Sequence, residues 1–249
     1  MKNTKKLILH RGYLGKYPEN SYISFNKALE EGFSFETDIR TSKDKKCFLI
    51  HDNTLDRLFN VSGKIGDKKS EELKKCSYKE DRLLKLFRLE DLCLLIEGKR
   101  NQKFLSFMHI KELDDVHYVM KIVKKYDFSE KIRFFACDDL TMDLIDLVKN
   151  KYPEYKVGLH ITDNSPYIDK RSFKKSDFIW VDEIKKENIT PRLIELANEL
   201  KKPVYAISPE LIPESIFNRD IEKRWGEYLA MGVDGICTDK PQEFSKFAG

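Results

Sequence analysis

Eight short apolar runs recur along the chain, and most of the gaps between them have the spacing of an amphipathic helix. The runs are "LILH", "FSFETDI", "FLSFMHIK", "IRFFACD", "VGLHIT", "FIWVD", "VYAIS" and "GICTD". Helical spacing holds over Ser21 to Glu31, Leu89 to Glu97, Val116 to Tyr126, Leu140 to Lys149, Pro191 to Leu200 and Ile221 to Met231. Gly32, Gly98 and Gly232 stand where such helices should stop. Strands alternating with helices imply an α/β protein with a parallel sheet and right-handed crossovers. Eight of them in this length imply a (β/α)8 TIM barrel. One piece breaks the alternation. After the second strand, "TSKDKKCFLIHD" turns and offers a further short strand, Cys47 to His51, which reads as a small hairpin excursion. No internal repeat or low-complexity linker interrupts the chain, so residues 1–249 are expected to form a single domain.

Charge narrows the choice of partner. The 46 basic and 42 acidic residues nearly cancel to +4, and the lysine pairs are interleaved with acids. That pattern describes a solvated surface and argues against a nucleic-acid stripe. The five cysteines form no CxxC pair, which suits reduced thiols in a cytoplasmic protein. After "MKNTKK" the only apolar run is "LIL", too short for a signal-peptide core, and no segment approaches an integral membrane span. A cytoplasmic protein is expected, and nothing in the pattern specifies an oligomer.

In such barrels the chemistry lies at the C-terminal strand ends. The first strand ends in His10-Arg11. The second carries Glu36 and Asp38, two residues apart and therefore on one face. The hairpin ends in His51-Asp52, the third strand carries His109 and Lys111, and the eighth ends in Thr238-Asp239-Lys240. His160 also falls near a strand end, while His117 sits in a helical stretch. A lone histidine at such a place is well explained as a core residue. Several, together with paired acids and Arg or Lys, are not. Two adjacent carboxylates repel unless something positive lies between them, and with a third ligand they can hold a divalent cation. Arg and Lys suit an anionic, phosphate-like substrate. Two further histidines supply a general base and a general acid. These parts fit metal-assisted cleavage of a phosphodiester.

The stretch "HRGYLGKYPENSYISFNKALEEGFSFETDIRTSKDKKCFLIHDNTLDRLFNVSG", with "SEEL", "LEDL" and "GVDGICTDKP" further on, resembles the glycerophosphodiester phosphodiesterase family, a (β/α)8 group. From Tyr118 to Leu200 only the strand and helix rhythm matches. The resemblance implies a phosphoric diester hydrolase acting on a small-molecule glycerophosphodiester, giving glycerol phosphate and an alcohol. By the same resemblance His10 and His51 correspond to the acid/base pair, and Arg11 to a phosphate-contacting arginine. Glu36 and Asp38 correspond to metal-binding carboxylates, and Lys111 to the lysine of an E-x-K pair. It further implies one divalent metal ion: Mg, Ca, Mn or Zn.

Asn20, in "PEN", could position the active-site loop or cap the helix starting near Ser21, and capping is the preferred reading. Where the family has Glu in E-x-K, this chain has His109, which tilts the metal toward Mn or Zn. A rival register would place Glu97 and Lys99 in those positions. "VYAISPEL" stands where the family has W-T-x-N, so the alcohol on the phosphate is expected to be unusual. Two alternatives stand beside hydrolysis. One is phospholipase- or lyase-type cleavage of a related lipid or capsule-precursor phosphodiester. The other is a non-catalytic barrel that binds a phosphorylated ligand.

Overall fold

A computed structural model describes residues 7–249, the side chain of Asp138 excepted. Its contacts divide the chain into two units, one of residues up to 10 together with 133–249, the other of residues 11–132. Strand β1 (Leu7–Leu9) opens the first unit.

The second unit holds helix α1 (Tyr22–Glu30), strand β2 (Ser34–Thr41) and strand β3 (Cys47–Leu49). Helices α2 (Ser70–Leu73) and α3 (Leu89–Gly98), strand β4 (Ser106–Ile110) and helix α4 (Val116–Val123) follow. Helix α1 starts at Ser21, whose hydroxyl accepts the Ser24 N–H at 3.2 Å. It buries Phe25, Ala28 and Leu29. Phe25 meets Phe35 of β2 at 5.1 Å between ring centroids, so one face of β2 is packed on helices. Glu36 and Asp38 project from the other face.

β4 runs parallel to β2 in a register that sets Asp38 opposite His109. β3 folds back antiparallel with Leu49 opposite Ile39, as the hairpin reading expects. The Ile50 N–H donates to the Asp38 carbonyl at 3.1 Å, and Arg40 Nε donates to the His51 carbonyl at 2.8 Å. The hairpin thereby delivers His51 beside β2. Beyond it the excursion is larger than a hairpin. Residues between Phe48 and Leu86 gather around their own apolar core, which includes Leu55, Phe59, Ile65 and Tyr78.

The first unit continues with β5 (Ile132–Ala136), α5 (Thr141–Lys151), β6 (Lys156–Ile161), α6 (Lys170–Lys175) and β7 (Phe178–Val181). It ends with α7 (Pro191–Glu199), β8 (Val204–Ile207), α8 (Ile221–Met231), β9 (Gly235–Thr238) and α9 (Pro241–Phe247). All its strand pairings are parallel, in the order β1-β9-β8-β7-β6-β5. Eight parallel strands alternating with helices, β3 standing outside the set, make this a (β/α)8 barrel.

Gly32 and Gly232 take positive φ of 73° and 91° just past α1 and α8, as helix stops do. Gly98 does not act this way. It is the last residue of α3, which ends through tightened turns from Lys99 N–H to Ile96 and Arg100 N–H to Glu97. Among the described residues no helix is long and apolar enough to cross a membrane.

Candidate active site

Asp38 is 1% exposed and Glu36 3%, so the two acids of "FETDIR" are buried side by side. Asp38 is surrounded by donors. Lys111 Nζ lies 2.7 Å from its Oδ1, Arg11 Nε 3.4 Å from its Oδ2, and Asn20 Nδ2 donates to Oδ2 at 3.2 Å. Burial pushes the Asp38 carboxyl up. The Lys111 ammonium and the His109 imidazole, with Arg11 and His51 behind them, outweigh burial and hold the group well below the usual carboxylate range. Lys111 also donates to His109 Nδ1 at 2.9 Å. His109 Nδ1 also lies 3.4 Å from Asp38 Oδ1.

The "HRG" turn exists to carry Arg11. Arg11 and Gly12 both take positive φ, 50° and 79°. A Cβ on Gly12 would stand 2.2 Å from Ser24 Oγ, so only glycine fits. The turn is tied to β2 twice: the Arg11 N–H donates to Glu36 Oε2 and the Gly12 N–H to the Glu36 carbonyl, both at 3.1 Å. Arg11 Nε is buried and makes no hydrogen bond, with Asp38 Oδ2 facing it at 3.4 Å.

Asn20 is not the helix cap; Ser21 takes that role. Asn20 has φ of 52°, accepts from Thr37 Oγ1 at 2.9 Å and donates to Asp38. It orients the Asp38 carboxylate. Glu19, beside it, is 4% exposed and clamped by arginines. It accepts from Arg11 Nη1 at 3.0 Å and from Arg57 Nη1 and Nη2, both at 2.8 Å. Burial opposes its charge, yet Arg57 and Arg11 hold its pKa below the usual value.

Arg57 also grips Asp52 through Nε at 2.7 Å. Asp52 Oδ1 in turn lies 2.9 Å from His51 Nδ1. Against a burial cost, Arg57 and His51 bring the Asp52 pKa down to about 2, so it stays an acceptor. Burial depresses the His51 pKa, with Lys111 and Arg11 pushing the same way against Asp38 and Asp52. With Nδ1 on Asp52, the Nε2 of His51 is left for chemistry. A cavity of about 530 Å³ adjoins this clamp, lined by Lys16, Tyr17, Glu19, Arg57, Leu58 and Tyr78 among others.

In the other unit, pairing of β1 with β9 sets Leu9 opposite Thr238. His10 Nδ1 lies 2.9 Å from Asp239 Oδ1, the same imidazole–carboxylate arrangement as at His51. His160 is a buried histidine between the Ala136 carbonyl at 3.1 Å and Asp182 at 3.1 Å. Glu97, the rival third ligand, lies in the last turn of α3 and pairs with Arg100 at 3.1 Å.

The described residues contain one group of acids and histidines arranged to hold a cation: Glu36, Asp38 and His109. Donor atoms from the three lie within 4.8 Å of one another. Two ligands sharing an ion can be no farther apart than two metal–ligand bonds, about 4–5 Å, so the donor set fits a divalent metal. Glu97 is outside this group. The sequence reading missed the Glu19–Arg57–Asp52 clamp, although all three residues stand in its own motif stretch.

Comparison with known proteins agrees with this geometry. A protein-family model described as the glycerophosphoryl diester phosphodiesterase family matches residues 10–243. A glycerophosphodiester phosphodiesterase of Bacillus altitudinis is 27% identical over 253 residues, covering 97% of each chain. The solved glycerophosphodiester phosphodiesterase of Thermotoga maritima is 25% identical, with a TM-score of 0.70 and 97% of each chain covered. A phosphodiesterase of Oleispira antarctica, solved with its product sn-glycerol-3-phosphate, shares the fold. Its TM-score is 0.75 at 17% identity, covering 97% of this chain and 96% of that one. On a match running almost end to end, the chain belongs to the glycerophosphoryl diester phosphodiesterase family, whose members are phosphoric diester hydrolases.

Proposed function

We propose that this protein is a divalent-cation-dependent phosphodiesterase. It hydrolyses a small-molecule glycerophosphodiester to a glycerol phosphate and an alcohol. The observation that carries the reading is the convergence of Glu36, Asp38 and His109 beside the cations Arg11 and Lys111. Family membership supports the reaction class, and the product held by the Oleispira antarctica relative supports the glycerol phosphate half. That none of the five cysteines is in a disulfide supports a reducing, cytoplasmic setting.

Glu36, Asp38 and His109 would hold the ion. When bound, it supplies neutralisation of phosphoryl charge and activation of an oxygen nucleophile. His51 and His10 divide the proton transfers: one takes the proton of the attacking hydroxyl, the other protonates the leaving alkoxide. Each is oriented by a carboxylate on Nδ1, Asp52 and Asp239 respectively. Arg11 and Lys111 balance negative charge as it grows on the phosphoryl oxygens. The attacker is water, or a neighbouring glycerol hydroxyl that closes a cyclic phosphate which water then opens; trapping the cyclic product selects the second route.

The test is a panel of glycerophosphodiesters assayed with chelated protein and with Mg, Ca, Mn or Zn restored. Glycerol phosphate release that needs a cation is the expected result. Binding of glycerol phosphate with no cleavage under any metal overturns the enzymatic reading.

Two variants refine the roles. Asp52→Asn removes the carboxylate that favours protonated His51, so the His51 pKa falls further. The limb of the kcat/KM profile that reports His51, acid if it is the base and alkaline if it is the acid, is expected to move to lower pH, with kcat down about tenfold or more. A limb that stays or rises separates Asp52 from His51. His109→Glu replaces a borderline nitrogen donor with a hard oxygen, and preference is expected to shift toward Ca or Mg. An unchanged metal profile removes His109 from the ligand set.

A further inference from the structure

The reaction as proposed leaves unused the polar residues that follow β8. In "VYAISPEL" these are Ser208 and Glu210. Glu210 turns its carboxylate onto the end of β9. Its Oε1 accepts from the Thr238 hydroxyl and from the Asp239 N–H at 3.3 Å, and its Oε2 accepts from the Ser208 hydroxyl. Ser208 is itself anchored: it accepts from Trp225 Nε1 at 2.7 Å, and its backbone N–H donates to the Cys237 carbonyl at 2.8 Å. Thr238 Oγ1 accepts from the Lys240 N–H at 3.0 Å, closing the turn around Asp239. Asp239 is the residue that holds His10 Nδ1.

We propose that Glu210 is a positioning residue for His10. It braces the Thr238–Asp239 turn, so that the Asp239 carboxylate accepts a hydrogen bond from His10 Nδ1–H and holds the imidazole in one tautomer and one orientation. The inference rests on the acid/base reading of His10. An imidazole whose Nδ1 partner wanders divides itself between two tautomers and two ring orientations, and outer contacts of this kind set catalytic geometry. Glu210 accepts three hydrogen bonds, two of them from the turn that presents Asp239.

The experiment compares Glu210→Ala, Glu210→Gln and Glu210→Asp in the full chain, using steady-state kinetics and the NMR signal of the His10 Nδ1 proton, assigned by its loss in His10→Gln. Glu210→Ala is expected to lower kcat by about tenfold to a hundredfold with KM within about twofold, and to erase the His10 signal. Glu210→Gln keeps an oxygen for Thr238 and Asp239, and should restore kcat to within about threefold of the wild type. Glu210→Asp draws the acceptor back by one methylene. It gives a milder form of the same kcat loss, and it carries the test if the alanine variant does not fold. A wild-type kcat in Glu210→Ala or, where that variant does not fold, in Glu210→Asp overturns the inference. So does a persisting His10 signal, or a glutamine variant as impaired as alanine. If His10→Gln itself keeps wild-type kcat, the acid/base reading of His10 falls and this inference falls with it. If His10→Gln is inactive while Glu210→Ala is not, only the Glu210 link is lost.

Discussion

Asp38→Ala is expected to abolish binding of a divalent cation and phosphodiester cleavage together, with kcat/KM down by more than about a thousandfold, the several kcal/mol that a lost metal contributes. Asp38 is buried between Lys111 at 2.7 Å and Arg11 at 3.4 Å, and Asn20 is aimed at it. Removing its charge takes one of two carboxylates from the Glu36–Asp38–His109 group and leaves two buried cations short of a counter-charge. The second effect also lowers stability, by about 3–5 kcal/mol for a broken buried pair. Asp38→Asn, which keeps shape and the Asn20 contact, checks that the metal is lost without the fold. Glu36→Ala should lose the metal equally. Calorimetric titration with Mn, run beside thermal melting, separates the two effects. Wild-type metal affinity in either variant would remove that acid from the cation site.

His51→Ala is expected to behave differently. Its kcat should fall by about a hundredfold to ten-thousandfold, the usual worth of a general acid or base. Metal affinity should stay within about twofold, because His51 lies outside the Glu36–Asp38–His109 group. The imidazole is held by Asp52 through Nδ1 and is partly exposed, with 41% of its side chain open, as a group that must meet a substrate should be. Loss of metal equal to that of Asp38→Ala would make His51 a ligand and overturn the division of roles.

The strands were legible because each is a short run of large apolar residues between helices of clear period. The pairing of Glu36 with Asp38 was legible because strand geometry leaves residues two apart no choice of face. What escaped has a physical reason in each case. Asn and Ser cap helices almost equally well, so Asn20 next to Ser21 could not be resolved by propensity; the left-handed backbone at Asn20 decides it. The clamp of Glu19, Arg57 and Asp52 joins residues 38 positions apart, and no local period announces an ion pair. Helix α6, "KRSFKK", spans six residues with one large apolar side chain, too short for a helical stripe. The excursion around Phe59 and Tyr78 is held by single bridges and an aromatic pair at 4.5 Å, without strands long enough to alternate. Among the candidate site residues, types were readable where they sit on strands; several of the partners that orient them came from loops.

The central claim is that Glu36, Asp38 and His109 share one divalent ion. Anomalous scattering from crystals soaked in Mn tests it most directly. A single strong peak within bonding distance of all three side chains, absent after Asp38→Asn, is the expected result. A crystal that takes up manganese elsewhere, with Lys111 still seated on Asp38 and no peak between the two acids, would contradict it.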